Sequence, residues 1–330
     1  METPLRSRIA GTGSYAPARV LTNRELEALV DTSDDWIVSR TGIRERRIAA
    51  DDEATSDLAY AAALKALESA EVDARDVDLI VVGTVTPDMP WPSAAAVLQG
   101  RLRNTKAFAF DVSAACAGSL YALAVADRFV AAAKADHALV VGADTLSRVV
   151  DWKDRNTCVL FGDGAGAMLL RPTRDPLRGI SSIHLHTDGS LWPILHQAGG
   201  GSRAPISQKL IDERGHYLKM NGREVYRVAV RSLEESCREA LAANALAPGD
   251  VAHVIAHQAN ERILNATLER LGIPASKCWM NLERYGNTSA ASLPTTLDEA
   301  SRAGWFSPGD PILMMAIGGG MAWGAAIVRW

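Results

Sequence analysis

The chain has 330 residues, 48% hydrophobic and 22% charged, which is ordinary globular composition for a large core in about two domains or halves. Its formal net charge of −4 gives no overall basic excess, so composition does not favour binding to nucleic acid or an anionic membrane. No apolar run reaches the ~18 residues of a membrane span, no signal-peptide pattern opens the sequence, and we expect a cytoplasmic protein.

The predicted elements of the first half alternate between helix and strand. The sequence predicts a helix over 57–70, a strand over 77–84, a helix over 93–102 and a strand over 137–144. Both strands are continuous apolar runs, which suit strands covered on two faces. This alternation predicts an α/β protein with parallel strands.

The second half repeats the pattern. It predicts a helix over 223–243, a strand over 253–257, a helix over 260–271 and a strand over 311–318. One stretch lies outside the pattern: 187–216 is rich in Gly, Ser, His and Pro, and we expect an irregular loop or lid there.

The similarity of the two halves predicts an internal duplication, with one α/β unit near 1–175 and a second near 176–330. Corresponding turns, SAACAGS at 113–119 and GNTSAAS at 286–292, follow strands in each half. Ligand sites of α/β sheets form at such strand ends, so we expect the two turns to meet at a shared seam.

The four cysteines are far apart and include no CxxC pair, so we expect neither a disulfide framework nor a zinc site. Cys158, Cys237 and Cys278 fit structural roles. Cys116 lies between an apolar run and a helical run, at or near a helix N-terminus, where peptide dipoles favour a thiolate. Its small neighbours would let a carbonyl approach the sulfur. The alternative is a small core residue in a tight packing contact.

His257 and Asn287 also occupy strand-to-helix turns. Taken alone, a structural histidine and a helix N-cap would explain them. Together with Cys116 they point to chemistry, because a His Nε2–H and an Asn NH₂ can both donate to a thioester oxygen as it becomes an enolate. The glycines at 318–320 can bring a backbone N–H close to a second carbonyl without side-chain obstruction.

Two other patterns carry less weight. The sequence GTGSYA at 11–16 fits the spelling of a dinucleotide-binding loop, but Pro17 follows where a helix should begin. His184 and His186 could share one face of a strand. No third ligand is evident beside them, so we expect no metal site.

Motifs spread over nearly the whole chain carry a resemblance to a known family. They are DTSDDWIVSRTGIRERRIA (31–49), PSAA (92–95), FDVSAACAGS (110–119), DWKDRNTCVLFGDGAGA (151–167), HQAN (257–260), YGNTSAAS (285–292) and GGGMAWG (318–324). Together they resemble the β-ketoacyl-acyl-carrier-protein synthase III family of the thiolase-like superfamily. The resemblance implies an α/β fold with five layers, α-β-α-β-α, and an obligate homodimer.

The resemblance also implies a reaction. Cys116 would take an acyl group from an acyl-coenzyme A (acyl-CoA), most simply acetyl, and malonyl-acyl-carrier protein would then lose carbon dioxide. His257 and Asn287 would stabilise the enolate, which attacks the acyl-Cys116 carbonyl. The backbone N–H groups of Cys116 and Gly319 would stabilise the resulting oxyanion. Acyl-CoA is a substrate in this scheme, and no cofactor is expected.

Further residues match family positions for substrate and partner binding. The resemblance assigns to CoA binding Thr32, Trp36, Arg40, Arg155, Asn221 and Asn260. It implies that Trp36 and Arg155 lie on opposite faces of the adenine. It assigns Arg262 and Arg227 to docking of the acidic carrier protein, and Trp91 to the acyl pocket of the partner subunit.

Some residues depart from the family pattern at positions related to the acyl pocket and to carrier-protein docking. Ile317, before the glycine triplet, and Trp91 stand where the family commonly has Phe, so we assign both to the acyl pocket. Glu269 stands where the family often has a basic residue, and the segment 190–216 looks longer than usual. These differences could mark a relative with another primer or acceptor.

Alternatives to this function remain at the sequence level. The first is a synthase-III-like condensing enzyme or acyltransferase of secondary metabolism. A papain-type Cys-His-Asn hydrolase has the same residue order, but the chain has no CGSCW-like segment. A biosynthetic thiolase would need a second cysteine in the C-terminal glycine-rich loop, and none occurs at 318–324. A non-catalytic scaffold fits least.

Overall fold

The computed structural model describes residues 4–330 of the chain. Its strands are β1 (Arg6–Tyr15), β2 (Arg19–Thr22), β3 (Glu45–Ile48), β4 (Leu79–Gly83), β5 (Phe108–Val112), β6 (Ala138–Thr145), β7 (Asp163–Thr173), β8 (Gly179–Thr187), β9 (Leu195–Gln197), β10 (Leu218–Met220), β11 (His253–Ala256), β12 (Pro311–Gly318) and β13 (Ala322–Arg329). Its α-helices are α1 (Asn23–Glu27), α2 (Asp34–Thr41), α3 (Thr55–Ala70), α4 (Ala94–Arg101), α5 (Gly118–Ala131), α6 (Gln208–Asp212), α7 (Gly222–Ala243), α8 (Glu261–Leu271), α9 (Leu282–Tyr285) and α10 (Ser292–Arg302).

Two sheets form the framework. The first has the strand order β1-β7-β6-β4-β5 and the second the order β11-β12-β13-β8. The pairs β4–β5, β4–β6 and β11–β12 are parallel, as the sequence predicted. The strands β7 and β13 pair antiparallel with their neighbours, so each sheet is mixed. Short strands β2 with β3 and β9 with β10 form separate two-stranded sheets.

Helices and sheets alternate as five layers. Helices α3 and α4 cover the outer face of the first sheet, where Leu58 and Leu98 pack against sheet residues. Helices α5 and α10 lie between the sheets, and Leu120 and Leu297 join both in one buried cluster. Helices α7 and α8 cover the outer face of the second sheet. The predicted α-β-α-β-α arrangement is therefore present.

Residue patterns explain why the central strands form where they do. Strands β4 and β6 are buried along their whole length, and β12 is buried after its first residue. Helices on both faces of each sheet require apolar side chains at successive positions, which is why these strands appear in the sequence as continuous apolar runs. The strands predicted at 77–84, 137–144, 253–257 and 311–318 are confirmed to within two residues at each end.

The segment 187–216 is more regular than expected. A short 3₁₀ helix (Gly189–Ile194) leads into β9, α6 follows, and β10 closes a hairpin with β9. The Ser207 side chain accepts a hydrogen bond from the backbone N–H of Leu210 at 3.2 Å and so begins α6. The expectation of an irregular loop is therefore wrong for these elements, while 198–206 contains neither helix nor strand.

The first sheet is built from residues between 6 and 173, and the second from residues between 179 and 329. The division into duplicated halves at 175 and 176 stays a prediction. None of the helices within residues 4–330 is both long and apolar enough to cross a membrane.

Candidate active site

Cys116 lies where the two sheets approach each other. It belongs to a short 3₁₀ helix (Ala115–Ala117) that follows β5 and runs directly into α5. The side chain is buried, with 7% of its surface exposed, yet it lines two cavities. The sequence interpretation of a residue at a helix start therefore agrees with the structure, and the sulfur is reachable from both cavities.

The ionisation of Cys116 is governed mainly by burial. Burial raises the pKa of the thiol to about 11. The backbone N–H groups of Cys116 and Gly319 act in the opposite direction, because they favour negative charge on the sulfur. The free protein therefore holds a thiol at neutral pH, and the helix-start effect expected from the sequence does not outweigh desolvation. The same two N–H groups are the ones expected to stabilise an oxyanion.

His257 comes directly after β11 and is held at the seam by its backbone. Its N–H donates to the Met315 carbonyl of β12 at 2.8 Å. The ring is 3% exposed, and Nδ1 lies 2.5 Å from the Ser292 hydroxyl. Burial lowers the pKa of His257 to about 3, so the ring is neutral at physiological pH. A neutral imidazole offers one donor and one acceptor nitrogen.

Asn287 lies in the turn between α9 and α10. Its side-chain Oδ1 accepts the backbone N–H of Ser289 at 2.9 Å. Its backbone N–H donates to the Leu160 carbonyl at 2.8 Å, and its carbonyl accepts the Gly162 N–H at 3.0 Å. These contacts fix the residue against the segment before β7. Since Oδ1 is engaged, the side-chain NH₂ is the group that Asn287 can offer to a ligand.

The glycine run after β12 brings backbone against Cys116. A Cβ atom on Gly318 would lie 2.5 Å from the Cys116 nitrogen and 2.8 Å from the Ala114 oxygen. Gly320 has a φ of +71°, a conformation that residues with a side chain rarely adopt. These positions require glycine, as the sequence analysis proposed for close approach of a backbone N–H.

The first cavity has a volume of about 450 Å³ and contains the other predicted catalytic side chains. Cys116, His257 and Asn287 all line it, together with Ile317. Toward its mouth the lining includes basic and polar residues: Arg40, Arg223, Arg262, Tyr226 and Asn260.

The second cavity, of about 480 Å³, also adjoins Cys116. Its lining is mostly apolar and includes Leu146, Phe161, Leu195 and Leu218. Ile317 does not line this cavity. Trp91 lines neither cavity and is 84% exposed, so its predicted role in a partner's pocket stays a prediction.

Four of the six residues assigned to CoA binding line an outer cleft. Trp36, Arg40, Asn221 and Asn260 line it. The guanidinium of Arg155 lies 4.5 Å from the centroid of the Trp36 ring. An aromatic base needs about 3.5 Å to each stacking surface, so Arg155 must move before an adenine can enter between them.

Several of these side chains also have structural partners. Asn221 and Asn260 are N-caps of α7 and α8, and Asn260 also donates to the Arg40 carbonyl at 3.1 Å. The Thr32 hydroxyl is buried and has no hydrogen-bond partner within residues 4–330. The N-terminal ends of α7 and α8 therefore form part of the edge of this cleft.

The two predicted docking arginines lie on α7 and α8, and both helices contribute residues to the lining of the first cavity. Arg262 lines it, with its guanidinium 5.7 Å from the Tyr226 ring. Arg227 is exposed and pairs with Glu224 at 2.8 Å. Sequence reasoning missed Arg223 and Tyr226, which line the same cavity. Their i, i+3 spacing at the start of α7 is the signal that could have found them.

Asp144 is a further buried group that the sequence analysis missed. Its Oδ1 accepts hydrogen bonds from Thr84, Val85 and Thr86, and its Oδ2 accepts the Ala290 N–H at 3.2 Å. Burial raises the pKa of this carboxyl. Asp144 therefore joins β6 to the turn that carries Asn287.

His184 and His186 are partners of a carboxylate. Each ring contacts Glu239 of α7, at 3.1 and 2.6 Å. Within residues 4–330, no group of three or more His, Cys, Asp or Glu side chains is arranged to hold a metal ion.

Comparison with known proteins decides the family. A model of 3-oxoacyl-[acyl-carrier-protein] synthase III matches residues 110–189, and a model of the C-terminal part of that family matches 241–330. The β-ketoacyl-[acyl-carrier-protein] synthase III of Xanthomonas campestris is 52% identical over 330 residues, covering all of both chains. This chain belongs to the 3-oxoacyl-[acyl-carrier-protein] synthase III family.

Solved structures agree with this assignment. Synthase III of Aquifex aeolicus has a TM-score of 0.91 at 46% identity and covers 98% of this chain and 100% of its own. Synthase III of Thermus thermophilus has the same TM-score at 45% identity, covering 98% and 99%. The family and the thiolase-like fold expected from the sequence motifs are both confirmed, and the chain is a condensing acyltransferase of the synthase III type.

Proposed function

We propose that this protein joins a short acyl group, acetyl in the first instance, from acyl-CoA to malonyl-acyl-carrier protein, in the condensation that initiates fatty acid synthesis. The convergence of Cys116, His257 and Asn287 on one cavity carries the proposal. Family membership supports it independently, because relatives that match this chain end to end are β-ketoacyl-[acyl-carrier-protein] synthases III.

The first step is acyl transfer to Cys116. The sulfur attacks the thioester carbonyl of acyl-CoA, a new carbon–sulfur bond forms, and the CoA sulfur leaves with the thiol proton as free CoA. The carbonyl oxygen becomes an oxyanion during this step. The backbone N–H groups of Cys116 and Gly319, which already favour negative charge at the sulfur, are the donors available to it. The covalent acyl-enzyme divides one difficult reaction into two easier ones.

The second step is decarboxylation of the malonyl group. Its carboxylate leaves as carbon dioxide, and the electron pair passes into the thioester as an enolate. A neutral His257 and the free NH₂ of Asn287 can both donate to that oxygen. The enolate carbon then attacks the acyl-Cys116 carbonyl, a carbon–carbon bond forms, and the carbon–sulfur bond breaks. The departing Cys116 thiolate takes up a proton from solvent. The product is a β-ketoacyl thioester on the carrier protein.

The two cavities suit the two parts of this substrate. The apolar second cavity offers space for the acyl chain on Cys116. The first cavity, with Arg40, Arg223 and Arg262 toward its mouth, suits a phosphate-bearing pantetheine arm and the acidic partner that carries it. The scheme needs no cofactor. A simple acyltransferase would make no use of His257 and Asn287, so condensation is favoured.

We further propose a homodimer. Strand β5 lies at the edge of the first sheet, and its Phe108 is 43% exposed although it contacts Phe129 at a ring separation of 5.2 Å. An exposed aromatic residue on a free strand edge is the kind of surface that a second copy covers. Analytical ultracentrifugation of wild type and of Phe108→Glu tests this: the variant should dissociate. The cytoplasmic location stays a prediction.

Covalent loading tests the proposed chemistry. After mixing with acetyl-CoA, intact mass spectrometry should find one added acetyl group, on the peptide that contains Cys116. Cys116→Ala should acquire none. Cys278→Ala, which removes an equally buried thiol that lines neither cavity adjoining Cys116, should load normally. Loading at another residue, or none with any short acyl-CoA, would exclude the mechanism.

A second measurement separates loading from condensation. His257→Ala should acquire the acetyl group but fail to release carbon dioxide from malonyl-acyl-carrier protein. His184→Gln, which alters a histidine on β8 outside both cavities, is the control. Normal condensation by His257→Ala would show that His257 does not act on the malonyl group.

A further inference from the structure

The His257 ring has one close side-chain partner. Its Nδ1 lies 2.5 Å from the Oγ of Ser292, the first residue of α10, and both residues are buried. The role proposed for His257 requires a proton on the other nitrogen, Nε2, because only an N–H can donate to an enolate oxygen. What determines the position of this proton is therefore central to the reaction.

A neutral ring carries a single proton. Burial lowers the pKa of His257 to about 3, so a second proton is absent over the working pH range. If Nδ1 held the proton, Nε2 would be a bare acceptor and would repel the enolate oxygen. A neighbour that donates a hydrogen bond to Nδ1 holds the ring proton on Nε2, from which the ring can then donate.

The hydrogen bonds around Ser292 Oγ allow it to be that donor. The hydroxyl has one proton and two acceptors within reach: His257 Nδ1 at 2.5 Å and the Ser289 carbonyl at 2.9 Å. The Ser289 carbonyl already accepts the backbone N–H of Ser292, so it stays paired if the hydroxyl turns to the ring. The Gln258 N–H, at 3.3 Å, can meanwhile donate to Oγ.

We propose that Ser292 is a positioning residue, whose hydroxyl donates to Nδ1 of neutral His257 and so keeps the ring proton on Nε2. This inference rests on the proposed function. It gives one short segment control of both donors: the Ser289 N–H turns the NH₂ of Asn287 toward the cavity, and Ser292 keeps the N–H of His257 there.

Removing the Ser292 hydroxyl should move the proton of the His257 ring from Nε2 to Nδ1. In Ser292→Ala the Ser289 carbonyl remains beside the ring as an acceptor, and its hydrogen bond acts to raise the pKa of His257. The ring would then move its proton to Nδ1 to reach that carbonyl. Decarboxylation should fall by about 100-fold, the cost of one lost oxyanion donor. Acetyl loading of Cys116 should change little, because that step does not use the His257 proton.

Nitrogen-15 NMR of histidine-labelled protein reads the tautomer directly. Wild-type His257, assigned by its loss in His257→Ala, should give the Nε2–H pattern, and Ser292→Ala the Nδ1–H pattern. Ser292→Thr retains a hydroxyl and should keep the wild-type tautomer and recover decarboxylation. Ser236→Ala is the matched control, because Ser236 is buried and donates to the Leu233 carbonyl with the same i−3 geometry in α7.

The outcomes separate this inference from the proposed function. An Nδ1–H pattern in the wild-type protein, or unchanged decarboxylation by Ser292→Ala, would overturn the role of Ser292. Failure of the wild-type protein to load Cys116 or to decarboxylate malonyl-acyl-carrier protein would instead overturn the proposed function. If Ser292→Ala is poorly folded, Ser292→Thr and the wild-type tautomer still decide the question.

Discussion

Gly318 packs so closely against the backbone of Cys116 that no side chain could be accommodated at this position. A Cβ atom there would lie 2.5 Å from the backbone nitrogen of Cys116, well inside van der Waals contact. The contact aligns the end of β12 with the start of α5. It also places the Gly319 N–H beside the sulfur, where it lowers the pKa of the thiol.

We predict that Gly318→Ala disables the enzyme. The methyl group must push the Cys116 backbone away, which separates the N–H groups of Cys116 and Gly319. Loss of an aligned oxyanion donor costs about 100- to 1000-fold in turnover. Gly100→Ala is the control, because nothing lies within 4 Å of its Cβ position and it sits in helix α4. That variant should keep full activity and gain about 0.5–1 kcal/mol of stability. Condensation by Gly318→Ala at the wild-type rate would contradict this account.

The raised pKa of Cys116 predicts an unusual pH dependence of alkylation. Since burial raises this pKa to about 11, the thiolate fraction should grow about tenfold per pH unit from pH 7 to pH 10. The thiolate fraction of an ordinary cysteine, whose pKa is about 8.5, levels off before pH 10. Iodoacetamide labelling of Cys116, followed by peptide mass spectrometry at each pH, measures the curve. A plateau by pH 8 would mean that the dipole and N–H groups outweigh burial.

His257 should make the fold sensitive to acid. Its folded-state pKa is about 3, below the ordinary value of 6.5, so between these values the unfolded chain binds more protons. Stability should therefore rise with pH across this window and fall as pH drops below about 6.5. At pH 5 the penalty from His257 is about 2 kcal/mol. Urea unfolding of wild type and His257→Gln at pH 7 and pH 5 measures it. The variant should lose less stability, and equal losses would contradict the prediction.

Trp36 should contribute to binding of the nucleotide end of CoA and not to chemistry. Loss of its ring removes a stacking surface worth about 1–2 kcal/mol, so Trp36→Ala should raise KM for acetyl-CoA by about 5- to 30-fold with kcat little changed. Acetyl-pantetheine, which lacks the adenine, is the control substrate. Its loading rate should be the same in both proteins. An equal loss with both substrates would assign Trp36 to the fold and not to the adenine.

The positions of strands and helices could be predicted because burial on two faces leaves a simple sequence pattern. The strand predicted at 311–318 agrees with β12 at both ends. The helix predicted at 223–243 agrees with α7 except that α7 begins one residue earlier. Segment 187–216 was harder, since a single cap such as Ser207 decides whether a polar stretch begins a helix. Helices and strands this short contain too few residues for a hydrophobic periodicity to predict them.

The catalytic residues could be proposed from the sequence, but their environment could not. The contact between His257 and Ser292 joins residues 35 apart in the chain, and that between Asp144 and Ala290 joins residues 146 apart. Such pairs depend on how layers pack. The same holds for Arg155, which was expected on one side of an adenine and lies directly over Trp36. The opposing effects of burial and N–H groups on Cys116 also require the three-dimensional structure.

The parallel bridge between Phe161 and Asn287 joins the segment before β7 to the turn before α10. The first sheet is built from residues 6–173, whereas the glycines that complete the surroundings of Cys116 lie at and just after the end of β12, so forming the first sheet alone does not complete the site. In refolding, the return of thioester formation should lag behind the return of helical circular dichroism, because it reports the docking of the two sheets and not the formation of either.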